Sequence, residues 1–377
     1  MWITSSLKAA KAPTNIALGN FDGVHLGHQE VMAQILCPSS GDVSRSIDQQ
    51  LVDQQSVSAL QEGMLTTGYS HLPDEYSSKD LSSGVEIGSS SVQQNIHHQD
   101  IHQLPTGPKL PASGAYATVV TFSPHPHEYF SGVSRPLLTP VTEKTWQLAR
   151  LGIDQLVMLP FNQALAEMTP EDFVEKVLID GLSAQRISVG SDFHFGKGRS
   201  GNAQKLMEIA GRRGVPVVQV PLKSEQGDRI SSSRIREALQ SGQIDIATRL
   251  LGRPYLLTGK VVKGQQLGRT IGFPTANLQL PSNKFLPRTG VYSVRVLGIG
   301  DQPQPGVMNI GQRPTVEGKS LTIEVHIPGW SGDLYKKTLT VLLESFIRTE
   351  QKFESLDQLK TQIAQDCRQA IVALERT

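Results

Sequence analysis

Short apolar runs alternate with helix-like stretches through the first two thirds of the chain. The runs that predict strands are 15–19, 117–122, 155–159, 186–190 and 216–220. The stretches that predict helices are 25–36, 144–151, 170–178, 202–213 and 233–240. Strands that alternate with helices are typical of a parallel sheet covered on both faces, so we expect an α/β, Rossmann-like domain here.

The pattern of the chain changes near 251–254, and β-type runs separated by Gly and Pro follow. These runs are 255–262, 290–296, 306–310, 321–327 and 337–343. Short strands of this kind predict a small antiparallel barrel or sandwich, and a charged helix at about 356–374 closes the chain. We therefore expect two domains of different fold class, at 1–250 and 251–377.

A long polar segment interrupts the first predicted domain at about 38–114. It is rich in Ser, Gln, Asp and Gly, it contains no Phe or Trp, and its only tyrosines are Tyr69 and Tyr76. Such a composition cannot bury enough apolar surface to offset the entropy lost on ordering. We interpret the segment as a disordered insertion.

The bulk composition narrows the class of protein. The chain of 377 residues has a formal charge of +1, so no overall field attracts it to nucleic acid or to an anionic membrane. Its two cysteines, Cys37 and Cys367, exclude a disulfide framework and a CxxC zinc site, and they fit a reducing compartment. With no signal peptide and no run of eighteen apolar residues, we expect a cytoplasmic protein. The sequence does not indicate an oligomeric state.

The segment from Gly19 to His28 joins the first predicted strand to the first predicted helix. A strand, a glycine turn and a helix start place free backbone N–H groups where a phosphate can bind. His25 and His28 are three residues apart, so both rings can lie on one helical face and donate hydrogen bonds to an α-phosphate. A metal site is the weaker interpretation, because no third ligand has suitable spacing. The candidate phosphate-binding residues of the loop are Gly19, Asn20, Phe21, Asp22 and Gly23.

This segment resembles the nucleotidylyltransferase superfamily, whose HxGH enzymes split ATP between the α and β phosphates. Three further motifs narrow the resemblance to bacterial FAD synthetase: TFSPHP at 121–126, VGSDFHFG at 189–196 and RISSSRIR at 229–236. The resemblance implies that the first two motifs form the FMN side of the site and that the third closes over the ATP phosphates. The implied flavin-binding residues are Phe122, Pro124, His125, Pro126, Asp192 and Phe193, and the implied phosphate-binding residues are Ser231, Ser232, Ser233 and Arg236. His194 and Ser233 depart mildly from the family pattern.

The glycine-rich stretch at 259–272 precedes a Pro-Thr-Ala-Asn motif at 274–277. Glycines let a backbone approach phosphates closely, and basic residues can neutralise them, which makes Gly259, Gly264, Gly268 and Arg269 candidate phosphate-binding residues. No Walker A pattern occurs in the chain, so a P-loop does not bind ATP here. By itself the stretch is more typical of a glycine-rich hairpin than of a phosphate site.

The glycine-rich stretch and the Pro-Thr-Ala-Asn motif together resemble bacterial riboflavin kinase. Further matching motifs follow in order at 290–292, 309–315, 323–326 and 347–353. The resemblance implies that Thr275 and Asn277 hold Mg²⁺ and the ATP phosphates and that Glu324 is the general base on the ribityl hydroxyl. It also implies that Arg348 contacts the flavin. Lys336, where the family commonly has Gly, puts the shape of one turn in doubt.

Two independent motif sets therefore occur in the order found in the bifunctional bacterial riboflavin kinase/FAD synthetase family. The resemblance implies an enzyme that makes FMN from riboflavin and ATP and then FAD from FMN and ATP, with Mg²⁺ as cofactor and small molecules as its only partners. An HxGH adenylyltransferase acting on another acceptor is an alternative, but it leaves the second motif set unexplained. A flavin-binding sensor without turnover is a second alternative, and the intact His25, His28, Thr275, Asn277 and Glu324 argue against it.

Overall fold

The computed structural model describes residues 1–36, 111, 114–264, 266–315 and 318–375. The segment at 38–114, for which we predict a disordered insertion, lies outside the described residues apart from positions 111 and 114. None of the helices within these ranges combines the length and the apolar character that crossing a bilayer requires.

The first part of the chain forms a parallel sheet of six strands in the order β1-β4-β3-β2-β5-β8. Two short antiparallel pairs, β6 with β7 and β9 with β10, lie outside this sheet. The strands are β1 (Trp2–Thr4), β2 (Thr14–Leu18), β3 (Tyr116–Ser123), β4 (Gln155–Pro160), β5 (Ala184–Gly190), β6 (His194–Phe195), β7 (Gly201–Asn202), β8 (Val217–Val220), β9 (Ser224–Glu225) and β10 (Asp228–Arg229).

Helices cover both faces of this sheet, which confirms the predicted α/β fold. On β2, Ile16 and Leu18 pack with Phe173 on one face, and Ala17 packs with Met32 and Leu148 on the other. The helices are α1 (Leu26–Leu36), α2 (Pro126–Ser131), α3 (Val141–Arg150), α4 (Gln163–Ala166), α5 (Pro170–Asp172, continued by a π-helical stretch at Phe173–Gly181), α6 (Ala203–Arg212), α7 (Ser232–Ser241) and α8 (Ile244–Leu251), with single 3₁₀ turns at Leu7–Ala9 and Lys197–Arg199.

The second part of the chain is a closed antiparallel barrel in the order β11-β12-β15-β14-β13-β16, with β16 pairing back to β11. The structure thus decides for the barrel and against the sandwich. Its strands are β11 (Tyr255–Val262), β12 (Thr275–Gln279), β13 (Gly290–Leu297), β14 (Gln304–Thr315), β15 (Gly318–His326) and β16 (Thr338–Arg348), and its helices are α9 (Leu267–Thr270) and α10 (Leu356–Glu375). Sequence patterning missed β12, because its five residues carry only two apolar side chains.

The hydrophobic core of the barrel continues into the two helices that precede it. Ile235 and Leu239 of α7 and Leu250 of α8 belong to the same buried cluster as Tyr255 and Tyr292 of the barrel. The fold therefore changes from α/β to all-β between α8 and β11, whereas the core does not break there. The domain limits at 250 and 251 stay a prediction.

A buried ion pair joins the helix α3 to the barrel. Lys284, in the segment between β12 and β13, places its Nζ 2.5 Å from Oε2 of Glu143 and 2.7 Å from the carbonyl of Leu138. Oε1 of Glu143 accepts the N–H of Thr258 on β11 at 3.0 Å. Burial raises the pKa of Glu143 and lowers the pKa of Lys284 to about 8, although each charge favours ionisation of its partner. The effect of desolvation on both pKa values therefore exceeds that of the mutual attraction. Each side chain needs the charge of the other to stay ionised.

We expect Lys284→Met to lower the free energy of unfolding by about 3–5 kcal/mol, because it leaves the Glu143 carboxylate buried without a cation. The double variant with Glu143→Gln should cost much less than the sum of the two single variants, since no charge is then buried and the amide oxygen still accepts from Thr258. Urea unfolding measures both values, with Lys176→Met in an exposed ion pair as the control. Additive losses would contradict an energetic coupling between the two charges.

Candidate active sites

The loop that contains the HxGH motif (the HxGH loop, residues 19–28) has an unusual backbone. Phe21 has a φ of 50°, Gly23 of 94° and Val24 of 45°, so three of its residues lie in the left-handed region. Side chains other than glycine pay a conformational cost there, most of all a β-branched one such as Val24. The loop keeps this shape because its surroundings hold it.

Asp22 is the centre of the contacts that hold the HxGH loop. Its carboxylate accepts the backbone N–H of Thr139 at 3.1 Å and Nη2 of Arg236 at 2.5 Å. Its carbonyl accepts the hydroxyl of Ser232 at 2.7 Å, and the next N–H, from Gly23, donates to Oγ1 of Thr139 at 2.9 Å. The loop is thereby tied to the start of α7 and to the segment before α3.

Two of the predicted phosphate-binding side chains therefore bind each other. Asp22 and Arg236 are each 11 % exposed at the side chain, and Nη2 of Arg236 also donates to the carbonyl of Pro136. This arrangement gives both side chains a positioning role, and their direct contact with phosphate stays a prediction. Of the serines, Ser231 caps α7 through the N–H of Arg234, whereas Ser233 is exposed.

The rings of His25 and His28 are stacked, with centroids 3.5 Å apart and planes 16° apart. The backbone N–H of His28 donates to Nδ1 of His25 at 3.3 Å, which places the proton of a neutral His25 on Nε2. Burial lowers the pKa of His25 to about 4 and the pKa of His28 well below its ordinary value. Both imidazoles are therefore neutral hydrogen-bond donors at neutral pH.

The polar residues beside the histidines are Lys144, Thr121 and Asn20. Lys144 on α3 and Thr121 on β3 both donate to the carbonyl of Asn20, at 3.0 and 3.2 Å. Among the described residues, Oδ1 of Asn20 and Nδ1 of His28 are buried without a hydrogen-bond partner. Sequence reasoning missed Lys144, because nothing in a helical pattern marks which lysine turns towards a distant loop.

The two predicted flavin-binding segments, 121–126 and 189–196, are linked through aromatic rings. Phe122 contacts Phe173, Phe173 contacts Phe195, and Phe195 stacks on Phe193, with centroid distances of 6.3, 5.6 and 5.7 Å. Phe122 also meets Phe161 edge to face at 5.9 Å. The structure thus brings Phe122 and Phe193 into one aromatic cluster.

Polar residues of the same two segments have structural partners. Nδ1 of His125 accepts the N–H of His127, and Glu128 accepts the N–H of His125, which forms a capping box at the start of α2, where Pro126 is the first residue. Asp192 forms an ion pair with Arg229 of the RISSSRIR motif. Pro124 lies directly before this cap.

On the barrel, three polar residues lie side by side across neighbouring strands. Asn277 of β12 pairs with Glu324 of β15, and Glu324 pairs with Asn309 of β14. Directly opposed residues point to the same face, with Cβ atoms about 5 Å apart. Thr275 shares the face of Asn277, two residues away on β12. Sequence analysis missed Asn309, although its motif was recognised.

The glycine loop (residues 263–272) lies against these side chains. A Cβ on Gly264 would come within 2.4 Å of Nδ2 of Asn277, and a Cβ on Gly268 within 2.3 Å of the carbonyl of Phe273. Only glycine allows the backbone to approach these protein atoms so closely, and contact of the two glycines with phosphate stays a prediction. Arg269 is exposed on α9.

Gly259 does not lie with the glycine loop. It pairs with Leu339 inside β11, three residues before Val262, which is the residue opposite Asn277. That spacing places it about 10 Å along the strand from Asn277. A Cβ there would lie 2.8 Å from the carbonyl of Gln279, so the structure gives Gly259 a role in barrel packing.

A cleft of about 520 Å³ opens beside Asn277, lined also by Val262, Leu286 and Thr322. Arg348, predicted to contact the flavin, is held by Asp366 of α10 through its Nε and Nη2 at 2.9 and 2.7 Å. Among the residues that the structure describes, no cluster of three or more His, Cys, Asp or Glu side chains could hold a metal ion.

Comparisons with known proteins match both parts of the chain. The family model for riboflavin kinase matches residues 251–374, and that for FAD synthetase matches residues 7–42 and 106–234. A bifunctional riboflavin kinase/FMN adenylyltransferase of Escherichia coli K12 is 42 % identical over 249 residues, which cover 66 % of this chain and 79 % of that protein. The corresponding protein of Bacillus subtilis 168 is 36 % identical over 264 residues, which cover 68 % and 82 %.

A solved structure also matches nearly the whole chain. It is a Streptococcus pneumoniae protein described as a macrolide-efflux protein, with a TM-score of 0.68 and 25 % sequence identity. The match covers 97 % of this chain and 96 % of that one. The arrangement of a parallel sheet followed by a closed barrel is therefore shared with a known structure.

The buried His25 makes stability depend on pH. The folded protein holds its imidazole neutral down to about pH 4, whereas the unfolded chain binds a proton near pH 6.5. Stability should therefore fall as the pH falls from 6.5 to 4, by up to about 3 kcal/mol from this group. His25→Asn should remove this part of the loss in urea unfolding, while His194→Asn, at an exposed position, should keep it. Equal losses in the wild type and in His25→Asn would contradict the assignment.

Proposed function

The chain belongs to the bifunctional riboflavin kinase/FMN adenylyltransferase family, and from that premise we infer how its residues divide the two reactions. The enzyme phosphorylates riboflavin with ATP to give FMN, and it adenylylates FMN with ATP to give FAD and pyrophosphate. We propose that the barrel carries the first reaction and the parallel-sheet part the second. The observation that carries this division is that the predicted residues of each site lie within one of the two folds.

The HxGH loop supports adenylyl transfer. An oxygen of the FMN phosphate attacks the α-phosphorus of ATP, the bond from that phosphorus to the bridging oxygen breaks, and pyrophosphate leaves with the electron pair. Neutral His25 donates through Nε2, and His28 is stacked beside it, so both can stabilise charge on the α-phosphate as it develops. The Asp22–Arg236 pair holds the loop for this purpose, and Phe122 and Phe193 offer an aromatic surface to the flavin.

The row of Asn277, Glu324 and Asn309 supports phosphoryl transfer to riboflavin. Glu324 accepts the proton of the ribityl 5′-hydroxyl, whose oxygen attacks the γ-phosphorus of ATP while ADP leaves with the electrons of the broken bond. Register places Glu324 directly beside Asn277, so the base and the phosphate-holding residue share one face of the barrel. The tight approach of Gly264 to Asn277 brings backbone of the glycine loop to the same place.

The residues present fit a magnesium ion carried with ATP. Thr275 and Asn277 provide neutral oxygen ligands, and Mg²⁺ prefers oxygen ligands and commonly keeps substrate phosphates and waters among them. Bound there, the ion would neutralise charge on the transferred phosphoryl group. We propose a cytoplasmic enzyme whose partners are small molecules and not nucleic acid, in keeping with its net charge of +1.

Point mutations should separate the two reactions. His28→Ala should lower FAD formation about a hundred- to a thousand-fold, because it removes one donor to the transition state, and riboflavin should then accumulate as FMN. Glu324→Gln should lower FMN formation about a hundred- to ten-thousand-fold, because it removes the base, yet supplied FMN should still become FAD.

Chromatography of flavins after incubation with ATP and Mg²⁺, starting separately from riboflavin and from FMN, measures both reactions. The reaction that each variant retains shows that this variant is folded. Loss of FMN adenylylation in a folded Glu324→Gln variant would contradict one activity per fold.

Both reactions should stop when EDTA removes the divalent ion and resume when Mg²⁺ is restored, because the nucleotide phosphates need it. Thr275→Val should raise the Mg²⁺ concentration that gives half-maximal riboflavin phosphorylation and leave that for FMN adenylylation unchanged. Magnesium titrations of both rates provide the measurement. An equal shift in the two titrations would show that Thr275 does not act at the kinase site.

A further inference from the structure

Lys144 is a buried lysine that has no ion-pair partner in the part of the chain that the structure describes. It is 8 % exposed, and its Nζ has one hydrogen-bond acceptor, the carbonyl of Asn20 at 3.0 Å. Among the described residues it takes part in no ion pair. Lysine is almost never fully buried without a partner charge, because moving an ammonium out of water is costly.

The residue next to Lys144 on α3 is a buried charge with a purely structural role. Glu143, one position earlier in α3, is buried with Lys284 at 2.5 Å and also accepts a backbone N–H. Within a single turn of α3, one charge is fully compensated and faces the barrel, and the other faces the HxGH loop uncompensated. Burial lowers the pKa of Lys144, and the charge of Asp22 only partly opposes this shift. Asp22 is itself bound to Arg236 and Thr139.

The surroundings of Lys144 contain further unsatisfied groups. Within the described ranges, Oδ1 of Asn20 and Nδ1 of His28 are buried without hydrogen-bond partners. Burial lowers the pKa of His28, and the neighbouring His25 and Lys144 lower it further. Buried polar atoms in native structures normally have a hydrogen-bond partner, so such orphans indicate a polar ligand that completes them. The ammonium of Lys144 and Nδ1 of a neutral His28 can both donate to an anion, whereas Oδ1 of Asn20 accepts hydrogen bonds and needs a donor.

We propose that Lys144 is a further substrate-binding residue of the adenylyl transfer, and that its ammonium binds the phosphate groups of ATP and the pyrophosphate product. The inference rests on the proposed function of the HxGH loop. As the FMN oxygen bonds to the α-phosphorus and the bridging bond breaks, negative charge passes to pyrophosphate, and a fixed cation beside the loop stabilises it. The Asn20 carbonyl, which also accepts the hydroxyl of Thr121, gives Lys144 a neutral acceptor and no counter-charge.

Three substitutions at this position separate charge from hydrogen bonding. Lys144→Met removes both, Lys144→Gln keeps a donor for the Asn20 carbonyl without the charge, and Lys144→Arg keeps the charge. We expect kcat/KM for ATP in FMN adenylylation to fall about ten- to a hundred-fold in the Met and Gln variants. Inhibition by added pyrophosphate should weaken by a similar factor, and Lys144→Arg should retain most of both.

Riboflavin phosphorylation by the same chain reports whether each variant is folded, and Lys176→Met, at an exposed lysine of the same part of the chain, is the matched control. Full activity in Lys144→Gln, or unchanged pyrophosphate inhibition in Lys144→Met, would overturn the inference and leave Lys144 a structural donor. If the wild type failed to convert FMN to FAD, the proposed function would fail instead, so the two failures are distinguishable.

Discussion

Asp22 accepts hydrogen bonds from Arg236 and from the backbone of Thr139, and through them a loop with three left-handed residues is tied to α7 and to the segment before α3. Without these bonds, the backbone cost at Phe21 and Val24 would favour a relaxed loop. The geometry of the stacked histidines depends on this carboxylate, because His25 directly follows the constrained residues. The acidic residue of the HxGH loop therefore has a structural role.

The same region connects the two folds. The core that surrounds Tyr255 and Tyr292 extends into α7, the helix whose first turn carries Ser232 and Arg236. Helix α3 contributes Glu143 to the barrel and Lys144 to the HxGH loop from consecutive positions. The two sites thus share a rigid framework of buried charges and apolar packing, although their chemistry is separate.

Burial determines the character of each site. At the HxGH loop, desolvation keeps both imidazoles neutral, so they can act as hydrogen-bond donors but not as cations. At the barrel, the polar row of Asn277, Glu324 and Asn309 is half-buried and lies on a strand face opposite the core. The phosphoryl transfer that we propose there would depend on alignment by strand register and on close backbone approach.

The sequence by itself determined the fold classes and the family, because alternating strands and helices, glycine punctuation and two ordered motif sets are local signals. The site residues His25, His28, Thr275, Asn277 and Glu324 were predicted in this way and stay predictions. The structure stacks the two histidines and pairs Asn277 with Glu324 across neighbouring strands. Boundaries of long strands and the strand β12 were less well predicted, because pairing partners extend a strand beyond its apolar residues.

Only the tertiary structure decided which of the polar residues have structural partners. Asp22 and Arg236 pair with each other across more than two hundred residues of sequence, Arg348 binds Asp366, and Gly259 packs inside the barrel. Lys144 is a further example. The proposal for it rests on its hydrogen bond to the Asn20 carbonyl and on the absence of an ion-pair partner among the described residues. Such roles depend on partners that are distant in the chain, and local pattern carries no information about them.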